Sequence, residues 1–87
     1  MITVRFPRVM APAIGDATTL SLEADTVGSA IEAMTAAMPA VRVHLFDETG
    51  TLRPHVLCFV DGESNRLLDA AHPVASDITF VQSVSGG

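Results

Sequence analysis

The residues best placed to do chemistry are the last two of the chain, Gly86 and Gly87. Glycine has no Cβ, so a backbone that ends on two glycines can enter a narrow channel and adopt φ values closed to other residues. Terminal residues are usually mobile unless they are tied down. The sequence therefore predicts that the C-terminal carboxylate of Gly87 is a functional group, delivered into the active site of another protein. A plainer hypothesis stays open, in which the chain is an interaction module and its terminal glycines are incidental.

The single cysteine, Cys58, is the most obvious alternative reactive group. One cysteine excludes an internal disulfide and any zinc site built from several cysteines. Cys58 lies within an apolar run, and a buried free cysteine commonly behaves as a small hydrophobic residue. We therefore expect Cys58 in the core and not as a nucleophile.

The histidines and the paired acids indicate neither a metal site nor an acid–base pair. His44, His55 and His72 are irregularly spaced, and no helix carries two of them four residues apart. Asp47 and Glu48 are adjacent in a polar loop, where neighbours in sequence do not converge without further ligands. We expect no catalytic residue, no bound metal and no bound cofactor in this chain.

Composition limits the class of protein. The 87 residues carry a net charge of −5, with ten carboxylates, five arginines and no lysine. A chain of this length forms one domain, and an acidic domain without a basic stripe is a poor nucleic-acid binder. No apolar run approaches the roughly 20 residues of a membrane span, and the N-terminus does not resemble a signal peptide. We expect a cytoplasmic protein that binds neither nucleic acid nor membranes, and that offers no lysine as an acceptor.

The periodicity of apolar residues predicts five strands and one clear helix. Alternation or a continuous apolar run marks the strands, which we place at residues 2–6, 19–23, 55–60, near 66–68, and 78–82. The helix begins at Asp25 or Thr26 as N-cap and ends before Pro39. Its apolar stripe has helical spacing and consists of Val27, Ala30, Ile31, Met34 and Met38. A short turn of helix or an irregular segment follows and covers the core edge with Val41, Val43, Leu45 and Phe46.

This order of elements predicts an α+β roll with the helix packed on one face of a mixed five-stranded sheet. In the β-grasp (ubiquitin-like) arrangement the first and last strands are parallel neighbours in the middle of the sheet, and the helix lies in the crossover between them. We expect a β-grasp domain over residues 1–83 and a flexible tail over residues 84–87.

The other face of the sheet is a predicted docking surface. If Val56, Cys58 and Val60 point to the core, strict alternation directs their neighbours outward. A shift of register by one residue would exchange the two faces. The expected partner-binding residues are the apolar patch Leu57, Phe59 and Val81, together with Val84 and Ser85 of the tail.

The order of elements and the terminal Gly86-Gly87 resemble the ubiquitin-like sulfur carriers of the MoaD/ThiS family over essentially the whole chain. The most specific similarity lies in the hairpin at residues 60–63 and in residues 76–81, which lead into residues 84–87. Residues 53–56 are similar to the molybdopterin-synthase small subunit and to the cysteine-biosynthetic carrier. Two positions depart from the family pattern: Ser76-Asp77 replaces a common Gly-Asp turn, and Gln82-Ser83 replaces a proline-containing pair.

The resemblance implies a carrier and not an enzyme. A ubiquitin-activating-like adenylating enzyme would use ATP to adenylate the carboxylate of Gly87, and sulfur would then replace AMP to give a thiocarboxylate. A sulfur-accepting synthase would take the sulfur for a molybdopterin precursor, an activated serine derivative on the way to cysteine, or another thio-metabolite. Gly86 would be the steric requirement for entry into the enzyme. The alternative is a ubiquitin-like modifier that is conjugated through Gly87 to lysines of target proteins.

Overall fold

The computed structural model describes residues 1–8, 18–64 and 69–82. The strands and helices of this part of the chain follow in sequence order: β1 (Ile2–Arg5), β2 (Thr19–Leu22), α1 (Val27–Ala37), α2 (Ala40–Leu45), β3 (Val56–Val60), β4 (Glu63–Ser64) and β5 (Asp77–Gln82). The strands form one mixed sheet in the order β2-β1-β5-β3-β4. This is the predicted β-grasp arrangement, with one main helix and a second, shorter helix after it.

The first and last strands, β1 and β5, are parallel neighbours in the centre of the sheet. Val4 lies opposite Ile78, and both side chains are fully buried. The outer pairings, β1 with β2 and β5 with β3, are antiparallel. A parallel pair needs a long crossover connection, and α1 and α2 lie within it. The predicted topology is confirmed.

Helix α1 begins at a reciprocal cap between Thr26 and Ser29. The Ser29 amide donates to Thr26 Oγ1 (3.2 Å), and the Thr26 amide donates to Ser29 Oγ (3.2 Å). Each side chain therefore satisfies a backbone donor that the helix leaves unpaired. Of the two predicted caps, Thr26 is the correct one. The helix buries Val27, Ala30 and Met34 and ends at Ala37, with Met38 as its C-cap.

The first turn of α1 packs directly against the segment that leads into β5. The Gly28 amide donates to the Ala70 carbonyl (3.0 Å), and the Val27 amide donates to the His72 carbonyl (2.9 Å). A Cβ atom added at Gly28 would lie 2.9 Å from Ala70 Cβ and 3.0 Å from the Ala70 carbonyl oxygen. Only glycine permits this approach without a shift of the neighbouring backbone.

The core is formed by one face of the sheet and the inner faces of both helices. Its members, all buried, are Ile2, Val4, Phe6, Val27, Ala30, Met34, Val41, Leu45, Phe46, Leu52, Val56, Cys58, Val60, Val74, Ile78 and Phe80. Val43 was expected here and is instead 64% exposed. Residues 41 and 45 share a face of α2, whereas a residue two positions along a helix points to the opposite side.

The β3–β4 hairpin has a two-residue loop, Asp61-Gly62, as the sequence predicts. Asp61 has φ 50° and Gly62 has φ 86°, and positive values at both positions are typical of a type I′ turn. The loop therefore pairs Val60 with Glu63, and β4 starts earlier than the strand predicted near Arg66. Residues 65–68 lie outside the described residues.

The Asp61 carboxylate fixes the entry into β5. Its two oxygens accept hydrogen bonds from the backbone amides of Ala75 (2.9 Å), Ser76 (2.7 Å) and Asp77 (3.1 Å). These three N–H donors hold the pKa of the Asp61 carboxyl below its usual value, because they stabilise its charged form. The turn of one hairpin thereby positions the start of another strand.

Replacing Gly28 with alanine should destabilise the fold. Adding a methyl group at a closely packed site costs about 1–3 kcal/mol, whereas alanine favours a helix over glycine by up to about 1 kcal/mol. We expect a net loss of roughly 1–2 kcal/mol in the free energy of unfolding, measured by urea titration. The double variant Gly28→Ala/Ala70→Gly, which lacks the opposing methyl group, should recover part of the loss. A Gly28→Ala protein as stable as the parent would contradict the described approach.

The contribution of Asp61 to stability should depend on pH. Because its pKa is lowered on folding, the ionised carboxylate stabilises the fold above the unfolded pKa of about 3.9, and this stabilisation is lost as the pH falls towards the lower folded value. Asp61→Asn should therefore unfold more easily than wild type at neutral pH, and the difference should narrow on acidification. Denaturant titrations between neutral pH and about pH 3 measure this difference. Glu63→Gln removes the same charge two residues away and is the control; a difference for Asp61→Asn that does not change with pH would refute the role of its charge.

Candidate functional site

The predicted reactive tail follows β5 directly. Gln82, the last residue of β5, lies opposite Val56 at the start of β3. Two residues earlier, Phe80 is 1% exposed, and its ring stacks on Phe6 and meets Phe46 edge-on. The strand that carries the tail is therefore held by the aromatic part of the core. We call the end of the sheet at Gln82 the tail end.

Four predicted site residues, Val84, Ser85, Gly86 and Gly87, lie outside the described residues. Their expected roles in sulfur transfer and partner binding, and the boundary between a domain over residues 1–83 and a tail over residues 84–87, stay predictions. What the structure describes is the strand to which these residues are attached and the surface beside it.

The other three predicted partner-binding residues lie together on the sheet face opposite the helices. Leu57 pairs with Val81, and Phe59 pairs with Thr79, on the neighbouring strands β3 and β5. Val81 is 40% exposed, while Leu57 and Phe59 are half-buried. The predicted alternation along β3 is therefore confirmed, and the apolar patch is less exposed than the sequence implies. Its role in docking remains a prediction.

An ion pair borders this face. Arg5 Nη1 lies 2.8 Å from Asp77 Oδ2, with the two side chains 48% and 27% exposed. The same register that pairs Arg5 with Thr79 brings the arginine alongside the patch. Exposed pairs of this kind contribute little to stability, roughly 0–1 kcal/mol. The pair nevertheless gives Arg5 an ion-pair partner, Asp77, within its own domain.

Cys58 is a core residue, as predicted. Its side chain is 1% exposed, and burial raises the pKa of the thiol to about 12, since desolvation disfavours the thiolate. The thiol therefore stays protonated at neutral pH. The nucleophilic form of cysteine is the thiolate, so Cys58 is poorly suited to carry sulfur.

The remaining candidate groups are dispersed. His44, His55 and His72 are all exposed: His44 lies on α2, whereas His55 precedes β3 and His72 lies in the segment before β5. Asp47 accepts hydrogen bonds from the Thr49 amide, the Thr49 hydroxyl and the Thr51 amide, so it organises its own turn. Within residues 1–8, 18–64 and 69–82, no three metal-binding side chains converge. Neither described helix has the length and apolar character required to span a membrane.

The known proteins to which this chain is similar are found among solved structures. No model of a known protein family matches the chain, and no curated protein matches it significantly. Among solved structures, SAMP1 from Haloferax volcanii is 28% identical with a TM-score of 0.69, covering 99% of this chain and 98% of that one.

Two CysO structures are similar over their whole length at lower identity, so they bear on the fold alone. CysO from Mycobacterium tuberculosis is 24% identical with a TM-score of 0.77, covering 97% of this chain and 100% of that one. The BexX/CysO complex from Amycolatopsis orientalis gives 20% identity and a TM-score of 0.81, with both chains fully covered. The chain has a β-grasp fold, and its structural neighbours SAMP1 and CysO confirm the resemblance to ubiquitin-like proteins seen in its sequence.

Proposed function

We propose that this chain is a sulfur carrier whose Gly87 carboxylate is adenylated by a partner enzyme and then converted to a thiocarboxylate. The observation that carries the proposal is the full-length similarity to carriers and modifiers, combined with a central strand that leads within five residues to Gly86-Gly87. Gly87 is taken as the C-terminal residue of the working protein.

The proposed chemistry uses the tail as a substrate. A carboxylate oxygen of Gly87, ionised at neutral pH because its reference pKa is about 3.3–3.7, attacks the α-phosphorus of ATP. Pyrophosphate leaves, and an acyl-adenylate forms. Hydrosulfide then attacks the acyl carbon, AMP leaves, and the thiocarboxylate remains; with a persulfide donor, a second thiol must cleave the acyl disulfide formed first. A thiocarboxylate is a soft nucleophile that a synthase can direct at an activated carbon of a thio-metabolite, such as a precursor of cysteine or molybdopterin.

In this proposal the chain itself contributes recognition and delivery. The buried and protonated state of Cys58 supports this role, because the thiol is poorly suited to take part in the reaction. The partners are an adenylating enzyme and a sulfur-accepting synthase, and the reactions take place in the cytoplasm, where ATP is present. The CysO of Amycolatopsis orientalis is in a complex with BexX, which supports a docking role for the same fold here.

The second candidate is a protein modifier. The similar Haloferax volcanii protein is named small archaeal modifier protein 1, and the same activated carboxyl can form an amide with a lysine of another protein. Conjugates on a denaturing gel that disappear when Gly87 is deleted would favour this function. The chain has no lysine, so a second copy offers no lysine to which the tail could be joined.

Deleting Gly87 should abolish ATP–pyrophosphate exchange by the adenylating enzyme of the same organism and leave the thermal unfolding midpoint unchanged. Gly86→Val keeps the terminal carboxylate, and it should also fail because a branched side chain blocks the channel and restricts the backbone. Both variants are compared with wild type in exchange of radiolabelled pyrophosphate into ATP. Exchange at the normal rate with the truncated protein would refute the proposal.

Phe59→Asp should lower kcat/KM for adenylation by at least about tenfold, the effect expected of a central interface residue. Phe59 lies outside the core cluster, so the circular dichroism spectrum and cooperative unfolding should be retained. Ser21→Asp is the matched control, because it adds the same charge to an exposed residue of the edge strand β2. Unaltered activation by Phe59→Asp would exclude the patch from docking, and loss of the folded state would give Phe59 a structural role instead.

A further inference from the structure

The described carboxylates are concentrated at the end of the sheet opposite the tail end. Glu23 lies at this end because it follows β2, which runs antiparallel to β1. Asp25 lies there too, since its carbonyl accepts a hydrogen bond from the Val74 amide (2.9 Å), shortly before the start of β5. The β3–β4 turn and the start of β5 also lie there, held together by the Asp61 carboxylate. We call this the acidic end; its carboxylates are those of Glu23, Asp25, Asp61, Glu63, Asp69 and Asp77.

The described arginines other than Arg5 lie towards the tail end. Arg8 follows β1, which is parallel to β5, and it is exposed. Arg53 precedes β3, whose first residue pairs with Gln82. The Arg53 amide donates to the Leu45 carbonyl and its Nε donates to the Val43 carbonyl, both at 2.9 Å. These bonds fix the C-terminal turn of α2, with its exposed Arg42, to the same end.

Two acids lie near these arginines, Asp47 and Glu48 in the turn after α2. Asp47 Oδ1 accepts three hydrogen bonds from Thr49 and Thr51, so its carboxylate is held within that turn. Glu48 is exposed. Arg5 pairs with Asp77 and does not add to the tail end. Three of the described arginines, Arg8, Arg42 and Arg53, therefore lie towards the tail end beside two carboxylates, in a chain whose total charge is −5.

We propose that the tail end of this protein docks against a carboxylate-rich protein surface at the mouth of the channel that receives Gly86-Gly87. This rests on the proposed function, since it names the chemistry of the partner surface that the carrier meets. Carboxylates around the channel attract the arginines and repel the acidic end, so the carrier approaches with its tail forward. Complementary charge of this kind raises association rates and suppresses wrong orientations.

Val43 adds an apolar contact to the same surface. It is 64% exposed, and its carbonyl accepts the Arg53 hydrogen bond. Apolar side chains ringed by charged ones are typical of protein interfaces. A nucleic acid is the less favoured partner because the whole chain is negative and the arginines that the structure describes form no continuous stripe.

The test is ATP–pyrophosphate exchange by the adenylating enzyme of the same organism, with wild type, Arg8→Gln and Arg53→Gln as substrates. At an ionic strength of about 0.02 M each arginine variant should lower kcat/KM by roughly threefold to tenfold, chiefly by raising KM. Near about 0.5 M salt the difference in kcat/KM between wild type and the variants should largely disappear, because the screening length becomes shorter than the distances over which the charges steer association. The thermal unfolding midpoint of Arg53→Gln is measured as well. An unchanged midpoint attributes the lower kcat/KM to docking and not to the lost hydrogen bond between Arg53 Nε and the Val43 carbonyl.

Ala71→Asp is the matched control, because it changes the net charge by the same single unit at an exposed residue of the acidic end. It should leave kcat/KM nearly unchanged at low salt. Equal effects of Ala71→Asp and the arginine variants, or no effect of either, would overturn the proposal that the tail end docks against a carboxylate-rich surface, while exchange with wild type would still support the carrier function. Arginine-dependent inhibition by a single-stranded oligonucleotide would overturn it in favour of a nucleic acid. Absence of exchange with wild type at every salt concentration would overturn both proposals.

Discussion

The parallel pairing of β1 with β5 is the constraint on which the rest of the structure depends. Two parallel neighbours cannot be joined by a tight turn, so the chain between them must leave the sheet and return. The helices α1 and α2 lie in that connection and cover one face. Because the two strands are parallel, the residues that follow β1, including Arg8, lie towards the same end of the sheet as Gln82.

Local hydrogen bonds make this long-range pairing specific. The Asp61 carboxylate binds three consecutive amides at the start of β5, and Gly28 allows the segment before them to contact α1. A register shift of one residue would place Ile78 and Phe80 on the outer face and Val81 in the core. The hydrogen bonds of Asp61 thus fix the start of β5 at the acidic end, while the opposite end of the strand leads to the tail. Stability and the proposed delivery function are located at opposite ends of the same strand.

Short-range patterns in the sequence were sufficient to predict most of the elements. Alternation identified β1 and β2, helical spacing identified α1, and Asp61-Gly62 identified the hairpin. Val43 was misplaced because residues two positions apart do not share a face of a helix, so a turn of helix directs Val41 and Leu45 to the core but not Val43. The contacts of Asp61 with residues 75–77 have no local signal, since they join positions 14 to 16 residues apart. The segregation of charge likewise becomes visible only when the strand directions are known. Within the candidate site, the alternation of buried and outward-facing residues along β3 was predictable, because it repeats every two residues in the sequence. The half-buried state of Phe59 was not, because it depends on residues that are distant in the sequence.

The central claim is that the carboxyl carbon of Gly87 is a reaction centre. The most direct test is the intact mass of the protein after incubation with ATP, sulfide and the adenylating enzyme of the same organism. The account predicts a gain equal to the mass difference between one sulfur and one oxygen atom, located by fragmentation to Gly87 and dependent on ATP. An unchanged mass, with an enzyme shown to be active on another carrier, would contradict it.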